Sequence, residues 1–211
     1  MKADQTIFYD IDTQRDFILV DGKFYIPGAE KLVPVWKAIT DLAREEKVRI
    51  VCSVDCHAPG DPMLKSWGGQ FPDHCLAGTP GQLKIDETTP LDPLMLENKE
   101  YPPEEIQKVL DHHGEIVFRR QQFEALADNA HLSAILRLVL RPYSDIVIYG
   151  VYTGPCVDRE IGALIGVGPK LHVVSDGVAV VGAESPSLHE KLLQQGIELI
   201  TFDKLKLQML N

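Results

Sequence analysis

The apolar positions along the chain fall into two alternating patterns. Six short runs are apolar and rich in β-branched residues: Thr6 to Asp12, Val48 to Val54, Glu115 to Phe118, Asp145 to Val151, Lys170 to Val174, and Ile197 to Phe202. Short apolar runs closed by turn residues predict buried strands. The segments between them carry one-sided helical spacing instead. Leu32, Val35, Trp36, Ile39 and Leu42 form one helix stripe. Glu104 to His112 and Asn129 to Leu140 read as shorter helices, and Val157, Ile161, Leu164 and Ile165 mark one face of a helix from Cys156 to Gly168. Ser185 suits the N-cap of a last helix to Gln195, with Gly196 as its left-handed stop. Nearly all-apolar strands alternating with helices predict a doubly wound α/β fold. The expectation is one domain over residues 1–211, a mostly parallel six-stranded sheet with helices on both faces.

Residues 58–104 break the alternation. They are long, rich in Pro and Gly and poor in periodicity, yet they hold Trp67, Phe71 and Cys75. Irregular segments of that length in a compact domain carry function or are disordered, and the aromatics argue for the first.

Charge narrows the partners. The chain of 211 residues has 21 basic and 31 acidic residues, a net charge of −10. Phosphate recognition needs a basic patch, so a nucleic-acid or anionic-membrane surface is not expected. No apolar run approaches the roughly 20 residues of a membrane span. The first residues lead straight into a strand with no signal-peptide core. Four cysteines, Cys52, Cys56, Cys75 and Cys156, show neither a disulfide framework nor a paired zinc motif, so a reduced cytoplasm is the expected compartment.

In open parallel sheets, ligands bind beyond the carboxyl ends of the strands. Those ends carry Asp12, then Asp55 and His57, then Arg119 and Arg120, then Cys156. Each has a plain explanation alone: a turn cap, a turn histidine, a surface cation, a small apolar corner residue. Together they make an acid, an imidazole, a cation and a thiol. Cys156 is read at a helix N-terminus, where the dipole and free N–H groups favour the nucleophilic thiolate. Asp55 and His57 with His74 suit Zn²⁺, Fe²⁺ or Mn²⁺ and leave positions open for water or substrate.

These residues resemble the cysteine hydrolases of the nicotinamidase/isochorismatase superfamily, nearly end to end. Asp12-Thr-Gln-Arg-Asp16-Phe17 is similar to its opening D-x-Q-x-D-F motif, and Ile26-Pro27-Gly28-Ala29-Glu30 to the V-P-G-A-E that follows. Asp55-Cys-His57 with Phe71-Pro-Asp-His74 resembles the metal motif of the nicotinamidase branch. Gly150-Val-Tyr-Thr-Gly-Pro-Cys156-Val157 resembles the nucleophile motif. The resemblance implies that Cys156 is the nucleophile and Asp12 its acid/base partner. It implies a cis Val151–Tyr152 bond, with the N–H groups of Tyr152 and Cys156 serving an oxyanion. Asp55, His57 and His74 would hold one divalent metal, zinc first, and Phe17, Phe71, Val151 and Tyr152 would line the substrate pocket. The family's triad also holds a lysine. Here Val117 to Phe123 contains none; Arg120 aligns best with it and Arg119 is the alternative. The expected activity is hydrolysis of a small-molecule amide such as nicotinamide by a homo-oligomer. An isochorismatase-type or ureido-amide hydrolase and a small-molecule-binding homologue with an impaired triad are the alternatives.

Overall fold

The structure is a computed structural model and describes residues 1–121, 130–152, 161–162, 164–180, 190 and 192–210; for 130, 152 and 180 only the backbone is described. Its centre is a parallel sheet of seven strands: β1 (Thr6–Ile11), β2 (Arg49–Asp55), β3 (Leu94–Leu96), β4 (Ile116–Arg120), β5 (Asp145–Tyr152), β6 (Lys170–Val180) and β7 (Glu198–Ile200). Their order is β3-β4-β2-β1-β5-β6-β7. From β1 the chain goes through β2 to the edge strand β3, steps back to β4 between them, and then crosses over to run outward through β5, β6 and β7. That reversal leaves the ends of β1 and β5 side by side, with Ile11 opposite Gly150.

Two apolar clusters show why both sheet faces are covered. Alternate residues of β1 point opposite ways. Ile7, Tyr9 and Ile11 join α3 (Pro103–Asp111) and α4 (Ala130–Leu140) through Val109, Leu132, Ile135 and Leu136. Phe8 faces the other layer, where α2 (Val33–Glu45) contributes Trp36, Ile39 and Leu42, and α5 (Phe202–Leu210) contributes Leu205 and Met209. The expected stripe of α2 is thus the buried face. The first turn of the helix expected from Cys156, including Cys156 and Val157, lies outside the described residues; of its expected face, Ile161 and Leu164 are buried and Ile165 is exposed. The start of the last expected helix, Ser185, also lies outside them, while Gly196 has the left-handed φ of 79° expected of its stop.

The sheet has one strand more than expected. β3 sits inside the segment read as irregular. Three residues are too few to show alternation, and Pro90 and Pro93 just before them read as turn. α5 was not expected either, because its apolar positions continue directly from the strand pattern before it. α1 (Arg15–Ile18) is one helical turn with Asp16, Phe17 and Ile18 buried. β6 runs past Val174, where the sequence suggested an end. Val173 pairs with Ile148 and Val178 with Gly150, so residues 174–177 form a bulge. The Trp36 indole donates to the Gly177 carbonyl at 2.7 Å, which uses a group the bulge frees from the ladder.

The cis peptide expected at Val151–Tyr152 is not found: no peptide bond among the described residues is cis. Tyr152 still pairs in register with Val180, and a trans chain keeps that ladder going.

Candidate active site

Three adjacent strands, β4, β2 and β1, bring expected residues together at their carboxyl ends. Arg120 ends β4, Asp55 ends β2 in register with it, and Asp12 follows β1. Asp12 is 2% exposed and leaves the strand at φ 49°, in the left-handed region where Asp is among the better tolerated residues. Its backbone is held on both sides: its N–H donates to the Ser53 carbonyl at 3.2 Å, and its carbonyl accepts from Gln14 at 2.6 Å. Ser53 Oγ donates to Asp12 Oδ1 at 2.9 Å.

Arg120 is the cation of this site. Its guanidinium pairs through Nη2 with Asp12 Oδ2. Its Nε lies 3.3 Å from Asp12 Oδ1 and 3.2 Å from Asp55 Oδ1. Arg119, the alternative, points away, half-exposed, to Glu97 at 2.5 Å. Successive strand residues face opposite ways, so only one of the pair can face Asp12.

Asp55, His57 and His74 converge, with possible ligand atoms within 4.8 Å of one another. Asp55 Oδ2 is 3.6 Å from His74 Nε2 and 4.0 Å from His57 Nε2. Both imidazoles are oriented from behind. His57 Nδ1 pairs with Asp61 Oδ2 at 2.8 Å, and His74 Nδ1 with the Pro72 carbonyl at 2.7 Å. Bonds at Nδ1 leave each Nε2 as the inward lone pair, the arrangement that metal-binding histidines use. His57 Nε2 is buried and has no hydrogen-bond partner. A buried nitrogen without a partner is costly, and a cation would satisfy it. The residues fit a metal. Burial pulls the His74 pKa down, but the bond and charge of Asp55, with the Pro72 carbonyl and Asp16, leave it raised.

The long irregular segment is tied down at this site. The His57 N–H donates to the Cys75 carbonyl at 3.1 Å, and Ala77 donates back to His57 at 2.9 Å. Asp16 Oδ2 accepts from the Cys75 N–H at 2.7 Å, and Asp16 Oδ1 from Lys23 at 3.0 Å. Gly81 is needed there, since a Cβ would lie 2.2 Å from the Asp16 carboxylate. An aromatic wall follows. Phe17 lies 5.4 Å and Phe24 4.8 Å from the His74 ring, and Phe71 meets Phe24 at 5.9 Å. Phe71 therefore belongs to this wall through Phe24, a residue that the sequence pattern does not single out. Gln14 and Asp61 escape it as well. Their signals are present, Gln14 inside the first motif and Asp61 four residues after His57, but nothing in the pattern separates a supporting polar residue from a turn residue.

Val151 is buried beside Val147 and Tyr149 in the α2-side core. Cys156 lies outside the described residues, as does the side chain of Tyr152. The three described cysteines do not compete for its proposed role. Burial pushes the thiol pKa of Cys52, Cys56 and Cys75 above the ordinary value, away from thiolate.

Comparison with known proteins agrees with this architecture. A family model described as the isochorismatase domain matches residues 7–203. No curated protein sequence matches the chain. Among solved structures, a pyrazinamidase of Pyrococcus horikoshii in complex with zinc aligns at TM-score 0.70 and 20% identity, over 93% of this chain and 99% of that one. PnC1 from L. infantum in complex with nicotinate aligns at 0.73 and 18%, over 96% and 95%. N-carbamoylsarcosine amidase from Thermoplasma acidophilum aligns at 0.66 and 21%, over 94% and 97%.

Proposed function

The chain belongs to the isochorismatase domain family, and from that membership we propose that it is a cysteine hydrolase that cleaves a small-molecule amide. One observation carries the reading: a buried acid, a buried cation and a metal-suited Asp-His-His set share neighbouring strand ends. Asp12 takes the Cys156 proton, and the thiolate attacks the amide carbonyl. The backbone N–H of Cys156 serves the oxyanion. Asp12 returns the proton to the leaving ammonia, and water then releases the acid. Arg120 supplies the fixed positive charge that the family places beside this acid. Phe17, Phe24 and Phe71 offer a ring-sized apolar wall. Asp55, His57 and His74 would hold one divalent ion, zinc first and iron or manganese as alternatives, which supplies a Lewis-acidic anchor for a substrate nitrogen.

Ammonia release tests the reading across nicotinamide, pyrazinamide and N-carbamoyl compounds, with metal-loaded protein. Turnover of a carboxamide that Cys156→Ala abolishes is the expected result. Turnover of N-carbamoyl compounds alone would assign the ureido-amide specificity of the T. acidophilum neighbour. A second reading has its own support. Arg120 holds both oxygens of Asp12, and a carboxylate held so firmly is a weaker base. In that reading the chain binds the amide without cleaving it. Saturable ligand binding without ammonia release, with activity gained in Arg120→Lys, is its signature.

A further inference from the structure

Arg120 stands between two carboxylates with different tasks in the reading above. The two oxygens of Asp55 are divided. Oδ1 meets Arg120 Nε at 3.2 Å, while Oδ2 faces His74 Nε2 at 3.6 Å and His57 Nε2 at 4.0 Å. The main chain of Asp55 is fixed separately. Its N–H donates to Gln14 Oε1 at 2.7 Å, and its carbonyl accepts from Gln14 Nε2 at 2.8 Å. What Gln14 leaves free is rotation of the carboxylate, and that torsion is broad and roughly two-fold. The guanidinium closes it.

We propose that Arg120 is a positioning residue for the metal site, holding Asp55 Oδ1 so that Oδ2 alone is presented beside the two imidazoles. This rests on the metal site proposed above and assigns one of its residues a second task. The same guanidinium binds Asp12, so the acid/base and the metal ligand are set by one side chain. Arginine suits this double duty because it stays charged and spreads its donors over a rigid plane, whereas lysine offers a single ammonium. Hydrogen bonds to ligating carboxylates are part of a metal site's affinity, and losing one costs about 10–100-fold. Charge alone gives the opposite sign. Removing a cation 3.2 Å from the other oxygen of the ligating carboxylate would tighten divalent binding if Arg120 did nothing but repel the metal.

Zinc titration by calorimetry separates the two. The wild type is expected to bind one zinc per chain. Arg120→Met is expected to bind about 10–100-fold more weakly, and Arg120→Lys to recover part of the loss. Near-ultraviolet circular dichroism checks the fold. Arg120→Gln, whose amide nitrogen falls at the level of the arginine Nε that meets Asp55 Oδ1, gives a smaller loss and serves where the Met variant does not fold. Equal or tighter zinc binding by a folded Met or Gln variant overturns the inference and leaves the metal site standing. A wild type that binds no divalent ion overturns both.

Discussion

Asp12 is confined by its neighbours, and the acid/base task proposed for it follows from them. Ser53 and Arg120 hold its carboxylate, and Ser53 and Gln14 hold its backbone. Asp12→Asn keeps the shape and removes the proposed base; kcat/KM is expected to fall about 10²–10⁴-fold, measured as ammonia release. A second buried acid serves the fold instead. Asp10, 1% exposed, pairs with Lys84 at 3.0 Å and accepts from Thr13 Oγ1 at 2.8 Å. Burial raises its pKa even with Lys84 and Thr13 pulling it down. Buried pairs contribute little net stability, but breaking one strands a charge. Asp10→Leu is expected to cost about 3–5 kcal/mol in denaturant unfolding, and Asp10→Leu with Lys84→Met much less. At this scale the sequence is informative where a residue ends a strand, as Asp12, Asp55 and Arg120 do. It is silent on Gln14, Asp61 and Phe24. Their roles depend on contacts with residues distant in the chain or on an orientation that no local pattern encodes.

The elements carry constraints that single residues do not. Gly150 opens the bulge between β5 and β6 at φ 125°, and a Cβ there would lie 2.1 Å from the Ile11 carbonyl. Both the conformation and the close approach exclude a side chain. Gly150→Ala is expected to destabilise the fold by more than about 2 kcal/mol, a cost typical of strained backbone, read from the shift of the urea midpoint. At the other end of β6 and β7, Glu198 pairs with Lys170 at 2.6 Å and Lys204 at 3.1 Å, which depress its pKa from 4.5 to about 2. A depressed carboxylate contributes stability above its unfolded value, lost as pH falls through its folded value. Glu198→Gln should therefore flatten the stability profile between about pH 4.5 and 2, and salt should reduce the difference because the pair is near the surface. Strong periodicity makes α2 and the central strands readable from sequence. The edge strand β3 and the closing helix α5 are not, since three residues are too short a pattern and the capping residue of α5, Thr201, which accepts from the Lys204 N–H at 3.4 Å, falls inside the run read as a strand.

At the scale of the whole molecule, the strand order does the assembling. β4, β2, β1 and β5 are neighbours, so residues more than a hundred positions apart meet at one edge. The alternation of strands and helices along the chain already implies that meeting, because a doubly wound sheet gathers its strand ends on one side. What it leaves open is the covering segment 58–93. That segment has little secondary structure and is fixed by polar ties such as Asp16 to Cys75. If it is also tied by a metal through His57 and His74, the metal stabilises the whole fold. Zinc at 100 times its dissociation constant is expected to add about 2.7 kcal/mol. A chelator should reverse the gain, and His57→Ala should show none, by thermal melting.

Under the proposed function this chain hydrolyses an amide through Cys156 with Asp12 as its base. Steady-state ammonia release from nicotinamide by the zinc-loaded wild type, beside Cys156→Ala and Asp12→Asn, tests it most directly. The expected result is saturable release by the wild type, none above background from Cys156→Ala, and a residual rate from Asp12→Asn. Release that persists in Cys156→Ala, or a folded, metal-loaded wild type inert toward nicotinamide and every other amide offered, would contradict it.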